Sequence, residues 1–212
     1  MIKVFLVRHG RTIWNKEQIF RGTKDVPLDE VGKEEALLVG ERLKEEELSA
    51  VYSSPLSRAK ETAEVIARFH KMEVQCLAGL NDLHFGEWEG IHHKEVKERY
   101  PDLYQKWQQE PHRVIFPRGE GLDEVRSRAM EAIEDIITRH PQGVVALVSH
   151  RVVLKVVICA LLGLDNSRFW HIGQDTAAIN CFHYRDGKWI VSLLNDVCHL
   201  KGLGEEKGKV DF

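Results

Sequence analysis

The chain has little cysteine, and what it has is scattered. Its 212 residues include four, Cys76, Cys159, Cys181 and Cys198, with no C-x-x-C pair, so a zinc site is not expected. Most should sit in apolar surroundings as reduced, buried fillers. An excess of either charge is also missing. Thirty Lys+Arg against 33 Asp+Glu leave a net charge of -3, mixed along the sequence, which gives no electrostatic footprint for nucleic acid or an anionic membrane. Long hydrophobic runs are absent. The N-terminal apolar run stops at Arg8, too short for a signal-peptide core. The longest, 152–164, is interrupted by Lys155 and too short to cross a bilayer. A cytoplasmic location is the expectation. No carboxylate cluster has obvious metal spacing, and no cofactor motif, internal repeat or dividing linker is visible.

A hydrophobic content of 43% beside 30% charged residues is ordinary for a globular protein, and the length suits one domain with a sizeable core. We expect a single domain over 1–200 with an insertion at about 80–121 covering the active site, and a flexible, Gly- and charge-rich tail over 201–212. Val4 to Val7 reads as a buried strand. It stops at Arg8-His9-Gly10, where Gly10 is expected to allow a sharp turn and close approach to a ligand. Asp29 can cap a helix whose inward stripe is Val31, Ala36, Leu37, Val39, Gly40 and Leu43. A strand at 50–53 is followed by Ser54-Pro55, which predicts a helix with Ser54 as N-cap and Pro55 at its first position, placing Arg58 one turn inside. Further strands are expected at 74–77 and 144–148, with helices at 93–109 (broken near Pro101), 122–139 and 152–162. A closing hairpin turns at Arg185-Asp186-Gly187. Strands alternating with helices imply a three-layer α/β/α sandwich on a largely parallel sheet with one antiparallel edge. In such sheets ligands bind beyond the carboxyl ends of the strands, where Arg8, His9 and, after the most apolar strand, His150 are delivered.

Three stretches carry a resemblance. Leu6-Val7-Arg8-His9-Gly10-Arg11-Thr12 with Trp14-Asn15, Ser53-Ser54-Pro55-Leu56-Ser57-Arg58, and Val148-Ser149-His150 together resemble the signatures of the histidine phosphatase superfamily, the phosphoglycerate-mutase-like enzymes. The resemblance spans nearly the whole chain. It implies that His9 is the nucleophile that carries a phosphoryl group, and that Arg8, Arg58, His150 and Asn15 hold the phosphoryl oxygens. Leu80-Asn81-Asp82-Leu83-His84-Phe85-Gly86-Glu87-Trp88-Glu89-Gly90 resembles the segment in which the family's general acid is commonly a Glu. Here that position is Asp82, one methylene shorter, whose pKa must be raised to serve near neutrality. Glu87 and Glu89 are expected to serve the loop's own structure.

Thr23 matches a substrate-contacting position, and Arg21 and His84 are candidates for lining the substrate pocket. The family usually has Gly after its second His, and Arg151 stands there. Arg118-Gly119-Glu120 resembles the family's Gly-Gly-Glu-Ser step, but a surface helix start is the preferred reading. The implied activity is metal-independent hydrolysis of small phosphomonoesters without a cofactor. The resemblance extends to α-ribazole-phosphate, phosphoserine and broad-specificity phosphatases without choosing among them. A 2,3-bisphosphoglycerate-dependent mutase is the alternative, and a non-catalytic phospho-ligand binding module a third reading. A sheet edge or exposed helix leaves room for a homodimer, although no heptad specifies one.

Overall fold

The β-branched runs form strands and the striped segments form helices in the computed structural model, which describes residues 1–203. Strand β1 (Ile2–Arg8) leads through the one-turn α1 (Ile13–Lys16) to α2 (Glu30–Leu43), β2 (Leu48–Ser53), α3 (Ser57–Phe69) and the short β3 (Val74–Cys76). Irregular backbone then gives way to α4 (His93–Arg99), α5 (Pro101–Gln109) and α6 (Leu122–Arg139). Strand β4 (Gly143–Ser149), α7 (Arg151–Leu161) and the hairpin of β5 (Ile179–Arg185) and β6 (Lys188–Asp196) complete the order. All but the first residues of the tail expected at 201–212 lie outside the described residues.

The six strands form one sheet, ordered β3-β2-β4-β1-β5-β6. β1 to β4 run parallel, and β5 and β6 form the antiparallel edge. Period-two alternation divides the side chains between two cores. Ile2, Val4, Leu6, Tyr52, Val145 and Leu147 face the layer built by α6 and α7. Phe5, Val7, Val51, Ala146 and Val148 face α2 and α3. The result is the α/β sandwich expected from the strand–helix alternation. Among the described residues no helix is long and apolar enough to cross a membrane.

Several local expectations change. Asp29 does cap α2, its carboxylate accepting from Gly32 N at 2.8 Å, but Leu37 is 48% exposed. The buried face runs through Gly32, Ala36, Val39, Gly40 and Leu43, and position 37 lies about 100° around the helix from Ala36 on the far side. Helix α3 starts at Ser57 with Leu56 as N-cap, later than the Ser54-Pro55 start, so Arg58 is its second residue. The capping oxygen comes from Asp25, which accepts from Ser57 N at 2.8 Å. Ser54 Oγ donates to Asn81 Oδ1 at 2.9 Å and accepts only from Leu56 N, at 3.3 Å, ahead of the helix. Of the cysteines, Cys159 and Cys181 are buried fillers, while Cys76 and Cys198 are exposed. Cys76 ends β3, an edge strand with little cover.

Between β3 and α6 the chain gathers aromatic side chains. Phe20, Phe85, Trp88, Trp107 and Phe116 meet largely edge-to-face, with centroids 4.9 to 6.0 Å apart, the geometry that ring quadrupoles favour. This cluster joins the α6/α7 core and brings the segment around Asp82 to the sheet's carboxyl end.

Candidate active site

β1 and β4 are neighbours in parallel register, Arg8 opposite Ser149. The next residue of each, His9 and His150, therefore leaves the sheet beside the other, with ring centroids 5.2 Å apart. His9 N donates to Ser149 O at 3.1 Å, and Ser54 N, beyond β2, donates to Val148 O at 3.0 Å. Three parallel strands thus end at one place. Gly10 has a different task from the expected ligand approach. A Cβ on Gly10 would run into the Gly32 carbonyl, and one on Gly32 into the Arg11 backbone. This glycine pair lets the loop after β1 lie against the first turn of α2.

His9 Nδ1 is 2.7 Å from the Gly10 carbonyl oxygen. A carbonyl only accepts, so Nδ1 carries the proton. Nε2 keeps its lone pair and is buried with no hydrogen-bond partner among the described residues. Burial, reinforced by the charges of Arg58, Arg8 and Arg21, holds the His9 pKa well below the ordinary 6.5. The ring is a neutral imidazole in one tautomer, as nucleophilic attack requires.

The arginines whose charges act on that ring are themselves held in place. Arg8 is fully buried, and its Nη1 donates to Gln174 O at 2.6 Å. Arg58 is equally buried; Nη1 donates to Lys24 O at 2.9 Å and Nη2 to Gly22 O at 2.8 Å. Those carbonyls hold the guanidinium at the site and leave its Nε without a partner among the described residues. Asn15 Oδ1 accepts from Thr12 N and Thr12 Oγ1, both at 2.9 Å, and Nδ2 is a further buried donor with no partner among the described residues. Neither ring nitrogen of His150 has a hydrogen bond among the described residues. Burial first, then Arg58, His9 and Arg21, pushes its pKa well below 6.5. So many unsatisfied buried polar atoms in one place are costly unless a ligand meets them. Their number and sign fit an oxyanion such as a phosphoryl group.

Asp82 is 5% exposed. Its Oδ2 lies 3.1 Å from Arg58 Nη2 and 3.7 Å from His150 Nδ1, and its Oδ1 accepts from Leu83 N at 3.0 Å. Burial raises its pKa above the ordinary 3.8, outweighing the opposing pull of Arg58 and Arg21. A carboxyl held toward its protonated form is what a general acid needs. Its backbone is fixed by Arg128 of α6, which donates to the carbonyls of Gly79, Asn81 and Asp82 at 2.9, 2.6 and 3.0 Å. Glu120 holds Arg128 at 2.7 Å and accepts from His84 N at 2.9 Å. Glu120 is therefore a brace for the Asp82 loop and not merely a surface helix start. No local pattern marks Arg128 or Gln174, because both act across long sequence separations; the Arg-Gly-Glu resemblance was the available signal for Glu120.

The remaining candidates divide. Arg21 joins the cluster and, with Asp82, lines a cleft alongside Phe20, Phe85, Trp107 and Arg151. Thr23 is occupied by Glu89, its N and Oγ1 donating to Oε1 at 2.8 and 3.0 Å. His84 Nε2 stands 4.0 Å from the same oxygen, outside the cleft lining. Glu89 also accepts from Phe85 N at 3.2 Å, the structural role expected of it. Among the described residues no three His, Cys, Asp or Glu side chains gather as a metal-holding group.

A family model for the histidine phosphatase superfamily (branch 1) matches residues 4–197. The chain belongs to the histidine phosphatase superfamily. Within it, this chain is 38% identical over 200 residues to phosphoserine phosphatase 1 of Hydrogenobacter thermophilus, covering 94% of this chain and 95% of that protein. It is 35% identical over 206 residues to a metal-independent phosphoserine phosphatase of Arabidopsis thaliana, covering 95% and 84% respectively. The solved structure of Bacillus stearothermophilus YhfR superposes with a TM-score of 0.91 at 33% identity, covering 95% of this chain and all of the other. A histidine phosphatase fold and a site centred on paired histidines agree.

Proposed function

We propose that the chain is a metal-independent phosphatase of small phosphomonoesters that works through a phosphohistidine on His9. The observation that carries this reading is the neutral His9 ring, its Nδ1 proton held by Gly10 O, its Nε2 without a hydrogen-bond partner among the described residues, and the charges of Arg58 and Arg8 and the ring of His150 close to it. His9 Nε2 attacks phosphorus, the ester P–O bond breaks, and the Asp82 carboxyl gives its proton to the departing alkoxide. Asp82, now a carboxylate, takes a proton from water. The water oxygen attacks phosphorus, the P–N bond breaks, and inorganic phosphate leaves. The arginines, His150 and Asn15 Nδ2 hold the phosphoryl oxygens through both steps, and charge neutralisation by preorganised donors supplies most of the acceleration. Arg21 lines the space for the leaving group. Thr23 and His84 act through Glu89 on the shape of the loop.

The aromatic segment over 80–121 supplies Asp82, Phe85 and Trp107 to that cleft, which supports reading it as the cover of the active site within one domain. Two similar proteins that are phosphatases by name favour hydrolysis over the mutase alternative. The presence of all four of Arg8, His9, Arg58 and His150 speaks against a binding module. A cytoplasmic location and a homodimer go with this reading as proposals, checked by cell fractionation and light scattering.

The experiment is phosphate release from O-phosphoserine and p-nitrophenyl phosphate in excess EDTA, for wild type and His9→Ala. Turnover that survives EDTA and disappears with His9 is the expected result. Turnover unchanged in His9→Ala would refute the mechanism.

A further inference from the structure

Lys33, Glu34 and Glu35 look alike in sequence, as a solvated turn of α2, yet Lys33 and Glu34 are exposed and Glu35 is buried. Glu35 is 5% exposed. It lies one turn beyond Gly32, the residue against which the Arg11 backbone packs. A buried carboxylate needs partners, and those of Glu35 lie in the loops that frame the active site. Oε2 accepts from Arg11 N at 2.7 Å, and Oε1 accepts from Thr176 Oγ1 at 2.9 Å. Thr176 adjoins Ala177, whose N donates to His9 O at 3.2 Å, and follows closely on Gln174, whose carbonyl holds Arg8. Burial raises the Glu35 pKa above the ordinary 4.5, opposed by both hydrogen bonds and by the charges of Arg8 and Arg11. Both partners donate, so the ionised carboxylate is the form that they fit.

The Arg11 N–H and the Gly10 carbonyl belong to one planar peptide unit. At one end the N–H donates to Glu35. At the other end the carbonyl oxygen accepts the His9 Nδ1 proton. Carboxylate, peptide and imidazole therefore form one unbroken chain of hydrogen bonds. Linked hydrogen bonds polarise one another, so a negative charge at the N–H end draws electron density toward the carbonyl oxygen. A more negative oxygen holds the Nδ1 proton more firmly and leaves Nε2 as the nucleophilic nitrogen. When Nε2 bonds to phosphorus the ring gains positive charge, and the same oxygen stabilises that charge at Nδ1–H. The Nδ1 proton stays on the ring throughout.

We propose that Glu35 is a positioning residue for the nucleophile, fixing and polarising the Gly10–Arg11 peptide that keeps the His9 ring in its attacking tautomer. This rests on the phosphatase reading and deepens it. Glu35→Gln keeps the side-chain length and an oxygen for Arg11 N, and its amide can donate to Thr176 Oγ1. Bracing of the loops survives and the charge is lost. Nitrophenolate release in a single turnover of p-nitrophenyl phosphate should slow by about ten-fold, the lower end of the cost of losing the group behind a metal-bound imidazole. The acid limb of kcat/KM should move to lower pH, because the imidazolium loses an anion that favours it. In proton NMR the His9 Nδ1–H resonance, assigned by its absence in His9→Asn, should lie downfield of an ordinary imidazole N–H in wild type and move upfield in Glu35→Gln.

A folded Glu35→Gln with limb and resonance unchanged would overturn the inference, whatever the loss of rate, and leave Glu35 as a brace. Thr176→Val removes a bracing contact and leaves Arg11 N on the carboxylate, so it should lower the unfolding midpoint and keep the resonance in place. A shift in Thr176→Val as large as that in Glu35→Gln would show that bracing sets the resonance, and would overturn the inference too. Should Glu35→Gln not fold, the wild-type spectrum decides, since an Nδ1 proton at the ordinary imidazole position would rule out a polarised acceptor. No phosphate release from wild type would remove the phosphatase reading, and the resonance would still show whether Glu35 acts on the His9 ring.

Discussion

Replacing Asp82 with Asn separates the two halves of the proposed reaction. The substitution preserves volume and deletes the titratable proton. The structural cost is bounded by what Asp82 touches. It accepts from Arg58 Nη2 at 3.1 Å and from Leu83 N at 3.0 Å, and the amide oxygen can keep one of these. Arg58 still holds the carbonyls of Gly22 and Lys24. The loss is then that of one charged contact, about 1–3 kcal/mol, which at this chain length lowers Tm by roughly 2–4 °C per kcal/mol and leaves a folded enzyme to assay. General acid catalysis contributes about 10²- to 10⁴-fold. Turnover of phosphoserine, whose alkoxide needs the proton, should fall by that factor. p-Nitrophenolate is stable as an anion, so its departure needs no acid and phosphorylation of His9 should stay fast. The second step still lacks its base. Stopped-flow mixing of Asp82→Asn with excess p-nitrophenyl phosphate should therefore release about one nitrophenolate per site in a burst, followed by a slow steady state, with the phosphoenzyme visible by intact mass. Equal losses for both substrates and no burst would show that Asp82 only braces Arg58. No loss for either would remove it from the chemistry.

Further outcomes follow from the same geometry. Because burial and three arginines depress the His9 pKa, the acid limb of kcat/KM should lie below pH 6.5; a limb at or above that value would contradict the buried neutral imidazole. Stability should follow the histidines with a definite sign. Their folded pKa values lie below the unfolded 6.5, so the unfolded chain binds more protons as pH falls below that value. The contribution is complete above pH 6.5 and is lost toward the folded pKa at up to about 1.4 kcal/mol per pH unit for each ring. Asp82, with its pKa raised, has the opposite sign, being most favourable below 3.8 and losing its contribution as pH rises through the folded value. Urea unfolding from pH 7 to 5 should show a slope that flattens in the His9→Asn, His150→Asn double variant, and an unchanged slope would refute it. Arg128→Met withdraws the donor from three carbonyls around Asp82 and should lower kcat by at least about ten-fold through misplacement of the acid; full activity in a steady-state assay would show that the loop holds itself. Gly32→Ala drives a Cβ into the Arg11 backbone, and overpacking of about 1–3 kcal/mol should appear as a lower midpoint in thermal unfolding.

What could be read from the sequence divides along the range of the interactions involved. The ends of β1 and β4 were legible because a run of apolar residues that stops at Arg8-His9 or Ser149-His150 marks a strand, its end and a polar delivery in one local pattern. Parallel pairing of two such strands then forces the histidines together, since the register matches residue 8 to residue 149. Helix starts were less legible for the opposite reason. Ser54-Pro55 carries every local sign of a cap, yet Asp25 supplies the capping oxygen from 32 residues away, and a tertiary carboxylate can displace a local hydroxyl without leaving a trace in the local pattern. Arg128 is the same case at the active site. It stands mid-helix among charged neighbours and looks solvated, but it clamps carbonyls 46 to 49 residues earlier. Arg151 lies between these extremes. Sequence marks it as a departure from the resemblance, because a bulky cation stands where Gly is usual, and only the fold brings Trp170 within 5.5 Å of its guanidinium carbon. Of the groups proposed to act on the phosphoryl group, Arg8, His9 and His150 come from strand ends and are written locally. The group proposed to aim the acid, Arg128, comes from the middle of α6 and is written in contacts, so the placing of Asp82 can change by substitution far from the motifs while the phosphoryl seat stays as it is.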